Sequence, residues 1–328
     1  MAEQFLHNPD LPFIKENNAG NKLVNNRFVN QEGMIPVGFS QVLRWAFSKN
    51  PQRAEKKSDT FRLPVKKDER IFAQHDDAFC WLGHAAFLFR LGGKLLLTDP
   101  ILFSSTGLKR LSPLPFDVSL LKNIDYILFT HTHRDHFDEK SVRLLLQQNP
   151  DVQFLVPLRM SPLLEKLGAK NITEAGWYQH HNHVAGIDIV FLPAHHWNRR
   201  WMYDTNRELW GSFHLQTKSS SVYFAGDTAY AGHFKELAQL FPATKHALLP
   251  IGAYKPEWMM QRAHTSPHEA VQAFNELGAQ VFIPMHYGTF DLSDEPIGEP
   301  LRTVRELHRD GKLNGELLAP AVGETILL

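Results

Sequence analysis

Four side chains able to bind a metal fall within six positions of this 328-residue chain: His131, His133, Asp135 and His136, in the run His-Thr-His-Arg-Asp-His-Phe-Asp over 131–138. Neutral imidazole and carboxylate suit zinc and similar divalent ions. The run follows a short apolar stretch, 124–130, with the look of a buried strand. A loop at a strand's end lets close neighbours converge on one point, whereas a strand would splay them to opposite faces. Three histidines and an aspartate cannot all hold one ion and leave room for a substrate. The natural division is two ions, with His131 and His133 on one and Asp135 and His136 on the other. Further ligands must then arrive from elsewhere. Three candidates each follow an apolar run: His196 after 187–193, Asp227 after 222–226 and His286 after 281–284. Seven ligand-type residues at strand ends, gathered on one edge of a sheet, predict a two-metal hydrolytic centre.

The chain has 18 histidines, so single ones carry little weight. His7, His75, His180, His181, His183, His214, His233, His246 and His308 are expected to be core or surface residues. The dense run is different, because a chance match at that spacing is rare.

The elements that position these residues come next. Residues 1–72 are rich in Asn, Lys, Gln and Pro and are expected to form an extension wrapping a hydrolase domain over 73–328. Within the extension, 40–47 has a helical pattern. It predicts a helix that docks its Val42/Leu43/Ala46/Phe47 face on the core, against an alternative in which Trp45 and Phe47 meet a membrane surface. A charged loop is expected over 50–62. In the main domain, 79–89 and 94–98 read as two strands joined at Leu91-Gly92-Gly93. Asp99 at the end of the second either accepts a hydrogen bond from a metal-bound imidazole or makes a turn before Pro100. His84 reads equally as a core residue or as such a support. Helices are expected over 139–148 and from Ser161 to Gly168, with a strand over 152–156 between them. This alternation of short strands and helices predicts a layered α/β architecture.

The loop 197–210 directly follows His196 and carries Trp197, Arg199, Arg200, Trp201, Met202 and Tyr203. Either it frames the entrance for an amphipathic anionic substrate, with apolar chain on rings and phosphate on guanidinium, or its aromatics pack down. The loop holding Tyr254 must also end near the site. His264 lies just before a capping box at Ser266-Pro267-His268-Glu269.

Charge is balanced, at 35 basic and 35 acidic residues, which argues against nucleic acid as a partner. A single cysteine, Cys80 in an apolar run, excludes an intramolecular disulfide and reads as a small core residue. The start of the chain lacks the basic and apolar pattern of a secretory signal, and no stretch approaches the roughly 18 apolar residues that span a bilayer. A cytoplasmic protein is expected, with peripheral membrane contact left open.

His131-Thr132-His133-Arg134-Asp135-His136 resembles the signature of the metallo-β-lactamase superfamily. Later segments narrow it: Pro193-Ala194-His195-His196-Trp197, Leu209-Trp210-Gly211-Ser212, Phe224-Ala225-Gly226-Asp227-Thr228, Ile251-Gly252-Ala253-Tyr254 and Met285-His286-Tyr287-Gly288-Thr289-Phe290. Together, from about Trp81 to the end, they are similar to the branch containing N-acylphosphatidylethanolamine-hydrolysing phospholipase D. The resemblance implies a four-layer αββα sandwich, two mixed β-sheets flanked by helices. It implies two divalent ions, most simply zinc, one on His131, His133 and His196 and the other on Asp135, His136 and His286, bridged by Asp227. It implies a bridging hydroxide that attacks phosphorus, with Asp135, Asp227 and His264 catalytic and Asp99 and His84 behind the ligands; the residues themselves put Arg134, Trp197, Arg199, Arg200 and Tyr254 on the substrate. The products would be phosphatidic acid and an N-acylethanolamine or related alcohol; a homodimer is also implied. Arg134 stands where the phospholipase has Tyr and His195 where it has Gln. An added cation beside the metal loop favours a more anionic or smaller head group. The competing readings are a lactonase, a nucleotide or other small-molecule phosphodiesterase, and a non-catalytic metal-binding protein. The last would usually have lost a ligand, and here all seven positions are filled.

Overall fold

The computed structural model describes residues 4–33, 38–104, 108–201 and 203–328, so Met202 of the entrance loop lies outside the described residues. Its centre is a pair of seven-stranded mixed sheets. The first runs, in spatial order, Thr325–Leu327, Ala78–Gly83, Ala86–Leu91, Lys94–Thr98, Tyr126–Leu128, Gln153–Pro157 and Asn171–Ala175. Its first three pairings are antiparallel and its last three parallel. The second runs Gln179–His180, Asp188–Leu192, Ser212–Gln216, Ser221–Phe224, His246–Pro250, Val281–Met285 and Glu316–Leu317, with the same sequence of pairings.

These strands read as unbroken apolar runs because both faces are covered. Along Ala78–Gly83, Phe79 and Trp81 enter the core between the sheets, while Ala78, Cys80 and Leu82 enter the core beneath the first helical layer. Across the sheets, the rings of Phe87 and Phe224 lie 6.0 Å apart. Helices Glu139–Gln148 and Ser161–Glu165 cover the first sheet through Val142, Leu145 and Leu164. Helices His233–Leu240, Pro267–Leu277 and Glu299–Arg309 cover the second through residues such as Phe234, Phe274 and Val304. The result is the four-layer αββα sandwich. The capping box at Ser266 forms, and the helix it starts ends on Gly278 in the left-handed conformation.

Three expectations need correction. The stretch 79–89 is not one strand but two, turned back at Gly83-His84-Ala85. Gly83 and His84 take φ of 98° and 57°, and a Cβ on Gly83 would stand 2.8 Å from Thr289 Oγ1. The turn is fixed by tertiary bonds: His84 N donates to Thr289 Oγ1 at 2.8 Å, and Trp81 Nε1 to the His84 carbonyl at 2.9 Å. The expected loop over 50–62 contains a helix, Arg53–Ser58, with no buried residue. Its Lys56 pairs with Asp291 at 2.6 Å. Finally, the helix Phe39–Phe47 turns a different face inward. Val42 and Trp45 are half-buried, while Leu43, Ala46 and Phe47 are exposed, Phe47 at 86%.

The N-terminal residues lie against the sandwich. Strands Gln4–Leu6, Asn21–Val24 and Arg27–Phe28 make a small sheet, and Leu11, Leu23 and Phe28 join the central core. Among the described residues no helix is long and apolar enough to cross a membrane.

Candidate metal centre

The loop after Tyr126–Leu128 and the loops after Asp188–Leu192, Ser221–Phe224 and Val281–Met285 meet on one edge of the sandwich. There His131, His133, His196 and Asp227 form one group of ligand atoms and His84, Asp135, His136 and His286 another, each group's atoms lying within 4.8 Å of one another. In the first, His133 Nδ1 stands 2.9 Å from His131 Nε2 and 3.2 Å from His196 Nε2. Those two Nε2 atoms are 4.0 and 3.9 Å from Asp227 Oδ2. In the second, His136 Nε2 and His286 Nε2 are 3.8 and 3.5 Å from Asp135 Oδ2. Asp227 reaches this group too, at 3.2 Å from His136 Nε2 and 3.1 Å from His286 Nε2. It therefore stands between the two groups, with Oδ2 facing both and Oδ1 facing His286.

The donor set fits divalent metal. Buried polar atoms are normally paired, yet His136 Nε2, His286 Nε2 and both Asp227 oxygens are buried without a hydrogen-bond partner. Imidazole nitrogens and carboxylate oxygens crowded in this way suit ions of the zinc kind.

The outer nitrogens explain why the inner ones face the centre. His136 Nδ1 donates to Asp99 Oδ2 at 2.8 Å. Asp99 also accepts from Thr130 N at 2.8 Å and Thr130 Oγ1 at 2.6 Å, and that hydroxyl lies 2.9 Å from His131 Nδ1. His196 Nδ1 donates to the Ala263 carbonyl at 2.8 Å. His133 is the exception, presenting Nδ1 to the cluster. Backbone strain gathers at the same edge: His84, Asp99, Ala253 and His286 all have positive φ. Gly226, at φ 59°, permits close approach, since a Cβ there would sit 2.7 Å from the Thr130 side chain.

Charge sorts the histidines. Burial, followed by the neighbouring imidazoles, takes His131 well below its ordinary value, and burial takes His133 down to about 4. Burial opposes protonation of His136 and His286 as well, but Asp227 and Asp135 outweigh it, holding His136 well above its ordinary value and lifting His286 to about 9. Burial also pushes up the Asp135 and Asp227 carboxyls, but the facing imidazoles win and hold both well below the usual carboxylate range.

Around the ligands, the expected residues divide. Asp99 and His84 touch them, His84 Nε2 lying 3.2 Å from Asp135 Oδ2 with its ring 3.9 Å from that of His286. His264 Nδ1 stands 3.8 Å from Asp227 Oδ2 without a hydrogen-bond partner. Arg134, Trp197 and Arg199 line a cleft of about 410 Å³ that opens onto His133, Asp135 and Asp227. Arg200 and Tyr254 do not line it. The Arg200 guanidinium donates to the carbonyls of Phe137 at 2.9 Å and Thr132 at 3.2 Å and pairs with Glu139, bracing the metal loop from behind. The Tyr254 hydroxyl is taken by Glu299. A larger cavity of about 800 Å³, lined by Arg27, Arg159, Arg207, Glu174 and Glu208, lies away from the ligands.

Two features escaped sequence reasoning. The cleft also has an apolar lining, built by Val42, Trp45, Leu108, Met259, Met260 and Leu292. The only signal was the amphipathic pattern of 40–47, which gave the helix but not its facing. The other is Asn198, fully buried, whose Oδ1 accepts from Thr132 N at 3.1 Å and Thr132 Oγ1 at 2.8 Å. It ties the loop after His196 to the metal loop, and nothing in its neighbours' spacing marks it.

A family model for the β-lactamase superfamily domain matches residues 95–287. An N-acyl-phosphatidylethanolamine-hydrolyzing phospholipase D of Caenorhabditis elegans is 32% identical over 69% of this chain and 68% of its own length. The mitochondrial protein of that description from Saccharomyces cerevisiae is 30% identical over 81% of this chain, a stretch that spans 59% of the yeast protein. Among solved structures, the metallo hydrolase Igni18 of Ignicoccus hospitalis superimposes with a TM-score of 0.57 at 22% identity, covering 77% of this chain and 98% of its own.

Proposed function

The chain belongs to the metallo-β-lactamase superfamily, in the branch of the N-acylphosphatidylethanolamine phospholipases D, and on that premise we propose that it is a two-metal phosphodiesterase of phospholipase D type. Its substrates are phospholipids like N-acylphosphatidylethanolamine; its products are phosphatidic acid and the released alcohol. The observation that carries the reading is a single cleft lined together by residues of the ligand cluster, by apolar side chains and by two arginines. A diester with acyl chains needs all three.

His131, His133 and His196 would hold one ion and Asp135, His136 and His286 the other, with Asp227 shared. Divalent ions held there, zinc by the donor set, would supply Lewis-acid polarisation of a phosphoryl oxygen and would bring the pKa of water down to about 7. The chain's own residues do the rest. Asp99, Thr130 and the Ala263 carbonyl hold the imidazoles so that no reorganisation is needed on binding. His264, which lines the cleft with its buried Nδ1 unpartnered, orients the phosphate or donates to the departing oxygen. Val42, Trp45, Met259 and Met260 take acyl chain and keep water from it. Leu43 and Phe47, exposed on the helix that carries Val42 and Trp45, and Trp201, exposed beneath Arg134, add apolar surface for approach to a lipid surface.

The test is mass spectrometry of products after the zinc-loaded protein meets N-acylphosphatidylethanolamine, with a His131→Ala/His133→Ala control. Phosphatidic acid and N-acylethanolamine should form only with the intact cluster. Two bound metals and no cleaved diester would refute the phospholipase reading and direct the search to lactones.

A further inference from the structure

The arginines near the metal centre are of two kinds. Arg200 is saturated: two carbonyls and the Glu139 carboxylate occupy its guanidinium. Arg110, which pins the hairpin carrying His84, donates to the carbonyls of Leu82, Ile101 and Ser112. Arg134 and Arg199 differ. Both line the cleft, and neither makes a hydrogen bond or ion pair among the described residues. Each lies over an indole instead, Arg134 5.3 Å from the Trp201 ring centre and Arg199 4.9 Å from that of Trp197. Stacking engages the face of a guanidinium and leaves its edge donors free for bidentate binding of an oxyanion.

Two unneutralised cations in one cleft are more than the scissile group requires. Two divalent ions carry four positive charges. The buried carboxylates Asp135, Asp227 and Asp99 return three. The hydroxide nucleophile returns the fourth, so against the single charge of a phosphodiester the two arginines leave one positive charge over, which calls for a second anion. The apolar lining, with Val42, Trp45, Leu108, Met259, Met260 and Leu292, offers acyl chain its place and the arginines no charge partner. The arm of the diester that meets the arginines is therefore the leaving alcohol.

We propose that Arg134 and Arg199 form a second anion subsite, and that the preferred substrate is a phosphodiester whose leaving alcohol bears its own phosphate or carboxylate. This rests on the phosphodiesterase reading above. The reaction stays a hydrolysis: water adds to phosphorus, the P–O bond to the alcohol breaks, and that oxygen takes the proton.

Matched short-chain lipids test it. One pair is phosphatidylethanolamine N-acylated with butanoyl, uncharged, or with succinyl, which ends in a carboxylate. The other is phosphatidylglycerol against phosphatidylglycerol phosphate. With the metal-loaded wild type, kcat/KM should favour the charged member of at least one pair by ~10- to 100-fold, as charge-assisted hydrogen bonds imply. The pair that shows it distinguishes carboxylate from phosphate. The preference should shrink as salt is raised and fall toward unity in Arg134→Met/Arg199→Met. Equal kcat/KM within both pairs overturns the subsite while leaving the phosphodiesterase reading intact. So does a preference that survives the double substitution. If wild type cleaves none of the four lipids, both fail together.

Discussion

The two sheets reach one centre by different routes. The first delivers four candidate ligands from a single loop after Tyr126–Leu128. The second delivers His196, Asp227 and His286 from the ends of three strands far apart in sequence. In the loop, spacing within six residues decides which side chains converge. Across three strands, register decides, and a slip by one residue would turn a ligand away from the edge. The supports differ as well. His136 and His131 are oriented by side chains of their own half, Asp99 and Thr130, whereas His196 is oriented by a backbone carbonyl, that of Ala263. The first half carries a lock that substitution can open, and the second carries one that it cannot. Where the halves share a residue, the comparison is sharpest: Asp227 faces both ligand groups, and Asn198 bonds the second half to the metal loop.

The largest effect is expected from removing ligands by halves. His131→Ala/His133→Ala takes two ligands from one group and His286→Ala one from the other. Both should abolish turnover. Metal analysis by plasma mass spectrometry should then separate them, each retaining about one ion per chain where the wild type should hold two. If either variant lost both ions, the groups would be one cooperative unit and the comparison would break.

Next in size is Asp99→Asn. It removes the charge from the group that fixes His136 and Thr130, and such outer supports commonly matter by ~10- to 100-fold in metal affinity. Chelator competition measures it. Because Ala263 acts through its carbonyl, Ala263→Gly should leave affinity nearly unchanged. An equal loss from both would erase the distinction between the two locks.

Legibility follows the same division. The four-ligand loop was readable because its geometry is local, and the strands because burial on both faces makes them continuous apolar runs. The hairpin at Gly83–Ala85 was hidden for that very reason: the apolar run continues through it, and the turn is set by Thr289, some two hundred residues away. The helix over 40–47 was readable, but its inward face was decided by a cleft that exists only in the folded chain. Arg200 and Tyr254 have the side chains of substrate-binding residues, yet Phe137, Glu139 and Glu299 claim them first. Sequence carries a residue's capacity to bind; folding decides what it binds.

Asn198→Ala tests the bond between the halves. It strands the buried Thr132 N–H and hydroxyl, which costs ~1–3 kcal/mol. Thermal unfolding should shift by several degrees, with metal stoichiometry still at two. Loss of a metal at unchanged melting temperature would instead make Asn198 part of the centre.

The smallest change at neutral pH is expected from Cys80→Ala, about 1 kcal/mol for a small truncation in the core under the first helical layer. Its value lies in pH. Burial, with a further push from Asp68, raises the Cys80 thiol from 9.0 to about 12. The folded state thus favours the neutral thiol. The unfolded chain releases that proton first, so as pH climbs from about 9 toward 12 stability falls by ~1.4 kcal/mol per unit on this account alone. The contribution is complete below pH 9 and lost through that window. Cys80→Ala should flatten this slope in denaturant titrations, and wild-type labelling by a thiol reagent at pH 8 should proceed no faster than unfolding. Because Cys80 is the chain's one cysteine and lies in the first sheet, labelling reads the opening of that half. Labelling much faster than global unfolding would show that the half with the self-contained metal loop opens on its own, and that the two routes to the centre differ in stability as well as in geometry.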